Sequence, residues 1–434
     1  MKRKNILRLW VILFGLCMMP RVAAQEGTWS GKLNLGSNSL QLVFHFQNDS
    51  CTLDSPNQGV KGIAVKRNPV PLPTLSLSIP TVGAEFKGVW MGEQIIGTFV
   101  QMGQEFPLTL KPGAALHKRP QTPKDTSAYR CEEVSFANGK AMLKGTLTLP
   151  ADCNSGTPVL LMVTGSGLQN RDEEIFEHKP FAVLADAFAR HGIATLRYDD
   201  RGFGQSTGDV VNATIDDFKS DAQAGIELLR KRFRKVGVLG HSEGGTIGLM
   251  LAAEKQVDFV VSLAGMVISG KETLLIQNRN LLKQMGYTEA VVDEYLHALE
   301  QVFDAVIEGM KPQVENNVVL PNELNVNLQQ VALALRTSYL SHFLKLDVST
   351  IVSSIQCPVL ALNGTKDTQV DCQANLEPLK KELRSAGSEV VPCDGLNHLF
   401  QPCNTGSVDE YVDIEQTFAV DVIDRMIHWI QQLP

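Results

Sequence analysis

The sequence lacks three features that would each assign it to a particular class of protein. No two of its eight cysteines have the CxxC spacing of zinc or thioredoxin-type sites. It has no excess of positive charge, because 47 acidic residues outnumber 40 basic ones. An acidic surface repels phosphate backbones, so we expect no nucleic-acid partner. No run beyond the amino-terminal segment is apolar and long enough for a membrane helix, so we expect no stable membrane span.

The overall composition is that of a globular protein. Hydrophobic residues make up 44% and charged residues 20% of the chain, which excludes a mainly disordered or collagen-like protein. A length of 434 residues is typical of two or three domains.

The first residues have the layout of a signal peptide. Residues 1–8 carry four positive charges, an apolar stretch follows from Leu9 to Met19, and small residues precede Gln25. We therefore expect a signal peptide over residues 1–24 and a mature protein that is exported, to the periplasm or outside the cell. Seven cysteines remain after cleavage, and we expect them to be mainly buried, with one or two structural disulfides.

Composition divides the rest of the chain into two bodies. Residues 25–111 contain short strand-like runs bounded by Gly, Asn, Ser and Pro, which predicts an all-β amino-terminal domain. No cluster of chemically reactive residues occurs there, so we interpret it as a packing or substrate-positioning module. A carbohydrate-binding role for Trp29 or Trp90 is the alternative. Residues 112–128 are rich in proline and polar groups, as linkers are.

Strands and helices alternate through residues 129–434. Continuous apolar runs such as Val159–Val163 are typical of strands that are buried on both faces of a parallel sheet. Residues 267–350 interrupt this alternation with helical patterns, at Glu272–Gln284, Glu289–Glu308 and Leu328–Leu344. The pattern predicts an α/β domain with a helical lid inserted over a pocket.

The strongest chemical motif is Gly240-His241-Ser242-Glu243-Gly244. It directly follows a predicted strand and precedes a predicted helix, which is the context of a nucleophile elbow. The tight turn would raise the Ser242 hydroxyl clear of the sheet, and glycines at both ends would avoid steric collision. Ser242 is therefore the candidate nucleophile.

A serine nucleophile needs a base and an acid that orients it. In this topology both follow later strands, in the order serine, acid, histidine. Asp367 follows the strand at Val359–Leu362, with Asp371 as the alternative acid. His398 follows the last strand and is the candidate base. His241 adjoins the nucleophile on a sharp turn and is not expected to act as the base.

The reaction also needs donors for a developing oxyanion. One candidate is the backbone N–H of Glu243. The other lies in the glycine-rich loop after Val163, with Ser166 as the first choice and Gly167 as the second. A further charged loop, Tyr198–Ser206, follows the next strand, and we expect Arg201 to bind an aspartate there in a structural role.

Residues 129–434 resemble the α/β-hydrolase superfamily. The resemblance rests on five motifs, which are GHSEGG (240–245), GSGLQNRD (165–172), YDDRGFGQS (198–206), NGTKD (363–367) and GLNH (395–398). The whole chain is similar to bacterial exported carboxylesterases that have a β-rich domain ahead of such a core. This resemblance implies an α/β-hydrolase fold, a mostly parallel sheet flanked by helices with a helical lid. It also implies that Ser242, Asp367 and His398 form a catalytic triad.

The sequence thus predicts a serine hydrolase that cleaves small-molecule carboxylic esters through an acyl-enzyme, without a metal or an organic cofactor. A serine peptidase of the same fold is the second hypothesis. A glycan-binding protein with an inert hydrolase core is the third. The sequence contains no information on the oligomeric state.

Overall fold

The computed structural model describes residues 26–35, 38–47, 50–56, 60–113, 118–312, 314 and 317–434. The chain divides into two compact units, Met1–Leu116 and His117–Pro434. The predicted signal peptide, residues 1–24, lies outside the described residues. Among the helices formed by those residues, none combines the length and apolar character that a bilayer crossing requires.

The first unit is a closed barrel. In its described part, eight antiparallel strands pair in chain order, and the first strand also pairs with the last through Ser30 and Lys111. The strands are β1 (Gly27–Leu35), β2 (Asn38–Gln47), β3 (Ser50–Ser55), β4 (Val60–Arg67), β5 (Thr74–Ile79), β6 (Ala84–Met91), β7 (Gln94–Gln101) and β8 (Gln104–Pro112). Alternate residues point inward, as in β6, where Phe86 is buried and its neighbours Glu85 and Lys87 are exposed.

The two tryptophans of the barrel pack against its core. Trp29 is buried, and its ring meets that of Trp90 edge to face, with the centroids 4.8 Å apart. Trp29 and Trp90 both belong to the hydrophobic cluster that fills the barrel. Their placement agrees with the packing interpretation rather than with a glycan-binding surface.

The second unit is built on a mostly parallel sheet. Within its described residues the sheet has eight strands, in the order β16-β15-β14-β13-β11-β12-β10-β9. The strands are β9 (Tyr129–Asn138), β10 (Ala141–Pro150), β11 (Val159–Val163), β12 (Ala194–Tyr198), β13 (Val236–His241), β14 (Phe259–Leu263), β15 (Val359–Gly364) and β16 (Glu389–Cys393). The six strands from β16 to β12 run parallel, whereas β10 is antiparallel to both of its neighbours.

In the part of the second unit that the structure describes, five helices pack on the sheet and bury its two faces. They are α1 (Pro180–Arg190), α2 (Ile215–Arg230), α3 (Glu243–Ala253), α8 (Cys372–Glu382) and α9 (Val420–Gln432). Successive residues of β11 belong to different hydrophobic clusters, with Leu161 in one and Leu160 in the other. A strand that is covered on both faces needs apolar side chains at every position, which explains the unbroken run at Val159–Val163.

The insertion between β14 and β15 contains the lid helices. These are α4 (Gly270–Gln284), α5 (Glu289–Ile307), α6 (Asn322–Ala334) and α7 (Ser338–Lys345). They share a hydrophobic cluster of their own. The single helix predicted over Leu328–Leu344 is wrong, because α6 ends at Ala334 and α7 begins at Ser338. The Thr337 side chain accepts a hydrogen bond from the Leu340 N–H, so it starts a new helix instead of continuing the old one.

Two further expectations also need correction. The sequence pattern predicts a terminal helix over Ile414–Gln432, but this helix, α9, begins at Val420, because the backbone before it bonds to other loops. The N–H groups of Thr417 and Phe418 donate to Gln121, and the Ala419 N–H donates to the Phe400 carbonyl. No disulfide forms among the seven cysteines of the described chain, whereas the sequence led us to expect one or two.

Candidate active site

Ser242 lies at the turn between β13 and α3. Its backbone has φ 53° and ψ −118°, a strained conformation for a residue with a side chain. A Cβ atom on Gly240 would lie 1.9 Å from the carbonyl oxygen of Gly244, and a Cβ on Gly244 would lie 2.0 Å from that of Val163. Both positions therefore require glycine for the turn to form.

Asp367 and His398 meet at the carboxyl edge of the sheet, where β15 and β16 end. Nδ1 of His398 lies 2.7 Å from Oδ2 of Asp367, and both side chains are buried. The other carboxylate oxygen, Oδ1, accepts the N–H groups of Gln369 at 2.8 Å and Val370 at 2.9 Å. Because Nδ1 faces the carboxylate, Nε2 is the ring nitrogen that remains for proton transfer.

Asp371, the alternative acid, has a different environment. Its side chain accepts a hydrogen bond from the Ala374 N–H at 2.8 Å and caps the start of α8. This is the ordinary role of an aspartate in front of a helix. The contact with His398 belongs to Asp367.

The nucleophile candidate and the base candidate line one cavity. Ser242 and His398 both face a space of about 140 Å³. Gly165, Ser166 and Tyr411 also contribute to its wall. The two candidate residues therefore border the same space.

A second cavity lies on the lid side of Ser242. It has a volume of about 130 Å³ and also contacts Ser166 and Glu243. Its apolar wall comes partly from the lid and comprises Met266, Leu274, Leu340, Phe343 and Val370. Ser166 and Ser242 line both cavities, so the two spaces flank the same pair of residues.

The two loop candidates for the second oxyanion donor are placed differently. The Gly165 N–H donates to Oε1 of Glu173 at 2.8 Å and so is already engaged. Ser166 follows it and borders both cavities beside Ser242. Gly167 is one residue further along, with φ +91°, a turn conformation that favours glycine. The backbone N–H of Glu243, the first donor candidate, belongs to the first residue of α3.

His241, the residue before Ser242, is a buried partner of Glu173. Its Nδ1 lies 2.9 Å from Oε1 of Glu173, and its Nε2 lies 2.9 Å from the carbonyl oxygen of His398. Burial opposes ionisation of this ring, but the Glu173 carboxylate and the hydrogen bonds raise the pKa of His241 above its ordinary value. Both ring nitrogens face acceptors, as a protonated imidazole requires. His241 can therefore join the turn that contains Ser242 to the loop of Glu173 and to the loop of His398.

The side chain of Glu243 lies between the elbow and the lid. It is buried, and the hydroxyl of Tyr339 on α7 donates to Oε2. Burial raises the pKa of Glu243 to about 7, although the hydrogen bond from Tyr339 opposes this change. The carboxyl group thus titrates near neutral pH beside Ser242.

The charged loop after β12 forms structural contacts. Nε and Nη2 of Arg201 donate to the two carboxylate oxygens of Asp221 at 2.7 and 2.8 Å. The neighbouring Asp200 accepts hydrogen bonds from the Thr164 hydroxyl and the Gln169 N–H, both at 2.8 Å. Burial raises the pKa of Asp200 to about 8. These contacts hold the loop that contains Gly165 and Ser166.

Two residues of the site were not found from the sequence. Glu173 follows the glycine-rich motif in a loop with many charges, and nothing in its spacing indicates that it is buried. Tyr339 belongs to the lid, where an aromatic residue on a helix is usually part of a core. The one sequence signal that could have indicated Glu173 is its position directly after the motif GSGLQNRD (165–172).

Comparisons with known proteins agree with this architecture. The family model described as "Serine aminopeptidase, S33" matches residues 177–401. Esterase EstD of Thermotoga maritima is 27% identical over 294 residues, which cover 66% of this chain and 65% of the relative. The matched region is thus just under two thirds of that relative's length.

Two solved structures are among the matches. The Pyrococcus furiosus esterase Pf2001 is 16% identical, with a TM-score of 0.44, and the match covers 73% of this chain and 97% of that one. Proline iminopeptidase of Mycobacterium smegmatis is 14% identical, with a TM-score of 0.42, and the match covers 69% of this chain and 98% of that one.

The protein is an α/β-hydrolase, as the sequence motifs predicted, and the all-β domain expected ahead of that fold is a β-barrel. It belongs to the S33 serine aminopeptidase family, whose model matches more than half of the chain. It is therefore a serine hydrolase.

Proposed function

We propose that this protein hydrolyses carboxylic esters of small molecules through an acyl-enzyme on Ser242. The observation that carries the proposal is the shared cavity, which both Ser242 and the Asp367-bound His398 line. The similarity to an esterase of Thermotoga maritima supports the choice of esters.

The proposed reaction uses the triad in the usual sequence of proton transfers. Ser242 attacks the ester carbonyl while Nε2 of His398 accepts its proton. Asp367 holds Nδ1 at 2.7 Å and stabilises the imidazolium that forms. His398 then protonates the leaving alcohol, and water releases the acid by the reverse route.

The backbone N–H groups of Glu243 and Ser166 would bind the oxyanion. Glu243 is the first residue of α3, where the unpaired N–H groups and the positive end of the helix dipole favour a negative charge. Ser166 is the better second donor, because it borders both cavities and its neighbour Gly165 already donates to Glu173.

The two cavities suggest how an ester would bind. The leaving alcohol must lie close to His398, because this residue protonates it, and His398 lines the larger cavity. The acyl group would then occupy the apolar cavity of about 130 Å³ under the lid. A cavity of this size favours short acyl chains and excludes polymers.

An aminopeptidase activity is the second candidate. The family description names it, and the carboxyl of Glu243 in the acyl cavity could bind a peptide amino terminus.

Assays of p-nitrophenyl esters with two to twelve acyl carbons and of aminoacyl p-nitroanilides separate the two candidates. We expect turnover of the short esters and little turnover of the anilides. Preference for long chains would contradict the acyl-cavity assignment, and preference for anilides would contradict the ester proposal.

We also propose that the chain is exported after cleavage behind residue 24. Expression with and without residues 1–24, followed by cell fractionation and amino-terminal sequencing, tests this proposal. Export of the full chain with Gln25 as the new terminus is expected. Retention of an uncleaved protein in the cytoplasm would contradict it.

A further inference from the structure

Tyr339 connects the lid to both sides of the nucleophile. Its hydroxyl donates to Oε2 of Glu243, the residue after Ser242. The side chain of Ser166, on the opposite loop, lies close to the same hydroxyl and lines the same cavity. One lid side chain thus bonds to Glu243 and adjoins Ser166, the two residues whose backbone N–H groups are assigned to the oxyanion.

The protonation state of the Tyr339 phenol decides which group donates and which accepts at each contact of this bridge. Burial and the nearby Glu243 carboxyl raise the pKa of Tyr339 above its ordinary value, so the phenol keeps its proton. It donates that proton to Glu243, and its oxygen can accept the hydroxyl hydrogen of the adjoining Ser166. The bridge therefore runs from Ser166 through Tyr339 to Glu243.

The ring of Tyr339 is fixed separately from its hydroxyl. It meets Phe218 of α2 edge to face, with the centroids 6.4 Å apart, and stacks against Phe343 of α7 at 6.3 Å. These contacts hold the ring in place without the hydroxyl. Removal of the oxygen alone therefore tests the bridge while the packing of the lid is kept.

We propose that Tyr339 is a positioning residue that aligns the two oxyanion donors and makes their alignment depend on the lid. This inference rests on the proposed esterase mechanism. Donors aimed at the developing charge act through their exact placement, so a small displacement reduces turnover without weakening substrate binding. The lid would then complete the catalytic site in addition to covering it.

The test compares Tyr339→Phe with the wild-type enzyme on p-nitrophenyl acetate and p-nitrophenyl butyrate. Loss of a whole oxyanion donor reduces kcat by about 10²–10³-fold. A displaced donor keeps part of its effect, so we expect kcat to fall about 10-fold on both esters, with little change in KM. The inhibition constant of a boronic acid, which forms a tetrahedral adduct on serine, should rise by a similar factor.

Tyr287→Phe is the matched control. Tyr287 is also a lid tyrosine, and its hydroxyl donates to Glu323 at 3.1 Å on the exposed surface. This variant should have wild-type kinetics. Ser166→Ala removes the hydroxyl at the other end of the bridge. Ser166 is exposed, so this variant should fold normally. Its kcat should fall, as that of Tyr339→Phe does.

Each outcome has a distinct meaning. Unchanged kcat in Tyr339→Phe, or a rise in KM confined to butyrate, would overturn the inference and leave Tyr339 as a wall of the acyl cavity. If Tyr339→Phe does not fold, Ser166→Ala becomes the test. A Ser166→Ala enzyme whose kcat and boronate inhibition constant both equal those of wild type would then overturn the inference. Wild-type enzyme that hydrolyses neither ester would instead contradict the proposed function itself.

Discussion

Oε1 of Glu173 lies 2.9 Å from Nδ1 of His241, and this buried pair lines the same cavity as the candidate nucleophile Ser242. The same carboxylate oxygen accepts the Gly165 N–H, and the far side of the imidazole bonds to the backbone of His398. The oxyanion loop, the elbow and the loop of the base are therefore joined through one ion pair. None of these contacts involves the atoms that we assign to the reaction.

Glu173→Ala should destabilise the enzyme and also slow it. Removal of one partner leaves a buried group unpaired, which costs about 3–5 kcal/mol. We expect the urea midpoint and kcat to fall together, because Gly165 and the donor loop lose their anchor. The matched control is Glu174→Ala, whose partly exposed contact with Lys179 at 3.5 Å should contribute less than about 1 kcal/mol. Equal stability of the two variants would contradict the structural role of Glu173.

Asp367→Asn and Asp371→Ala together test which aspartate orients His398. The amide cannot hold Nδ1 of His398 in the same tautomer, so kcat should fall by about 10³–10⁴-fold with the fold intact. Asp371→Ala is the control, because it removes only a helix cap and should cost about 1 kcal/mol of stability. Steady-state kinetics and thermal unfolding of both variants test the assignment. A larger kinetic defect in Asp371→Ala would reverse it.

Glu243 should make stability depend on pH. The unfolded carboxyl has a pKa of 4.5 and the folded one about 7, so folded protein holds this proton more strongly. This contribution to stability is fully present below about pH 4.5 and is lost as pH rises to about 7. Glu243→Gln cannot titrate, so its stability relative to wild type should increase by roughly 3 kcal/mol across that window. Urea unfolding at several pH values measures the difference, and parallel curves would contradict it.

Arg201→Met should act on stability and not on chemistry. Asp221 would be left as an unpaired buried charge, at a cost of about 3–5 kcal/mol. We expect kcat per folded molecule to stay close to that of wild type. Arg230→Met, which breaks a half-exposed pair with Asp258, should change stability by less than about 1 kcal/mol. A large fall in kcat with unchanged stability would instead indicate that Arg201 binds substrate.

The sheet and the order of the site residues could be predicted because local signals specify them. Apolar runs define β11 and β13, and proline at the first position marks the start of α1. The parallel topology then brings the residues after β15 and β16 to one edge, so Asp367 and His398 could be paired without coordinates.

The remaining features depend on tertiary contacts that leave no local pattern. The start of α9 is delayed because Gln121, almost 300 residues earlier, binds the backbone of Thr417 and Phe418. Tyr339 reaches Glu243 only because the lid folds back over the elbow. The spacing of Leu328–Leu344 continues a helical stripe through Thr337, whose capping side chain divides it into two helices.

The central claim is that Ser242 forms the covalent intermediate. Mass spectrometry of tryptic peptides after reaction with a fluorophosphonate tests it most directly. The account predicts one adduct on Ser242, loss of ester hydrolysis in proportion to labelling, and neither labelling nor hydrolysis in Ser242→Ala. An active enzyme that is labelled on another residue, or a Ser242→Ala variant that still hydrolyses esters, would contradict it.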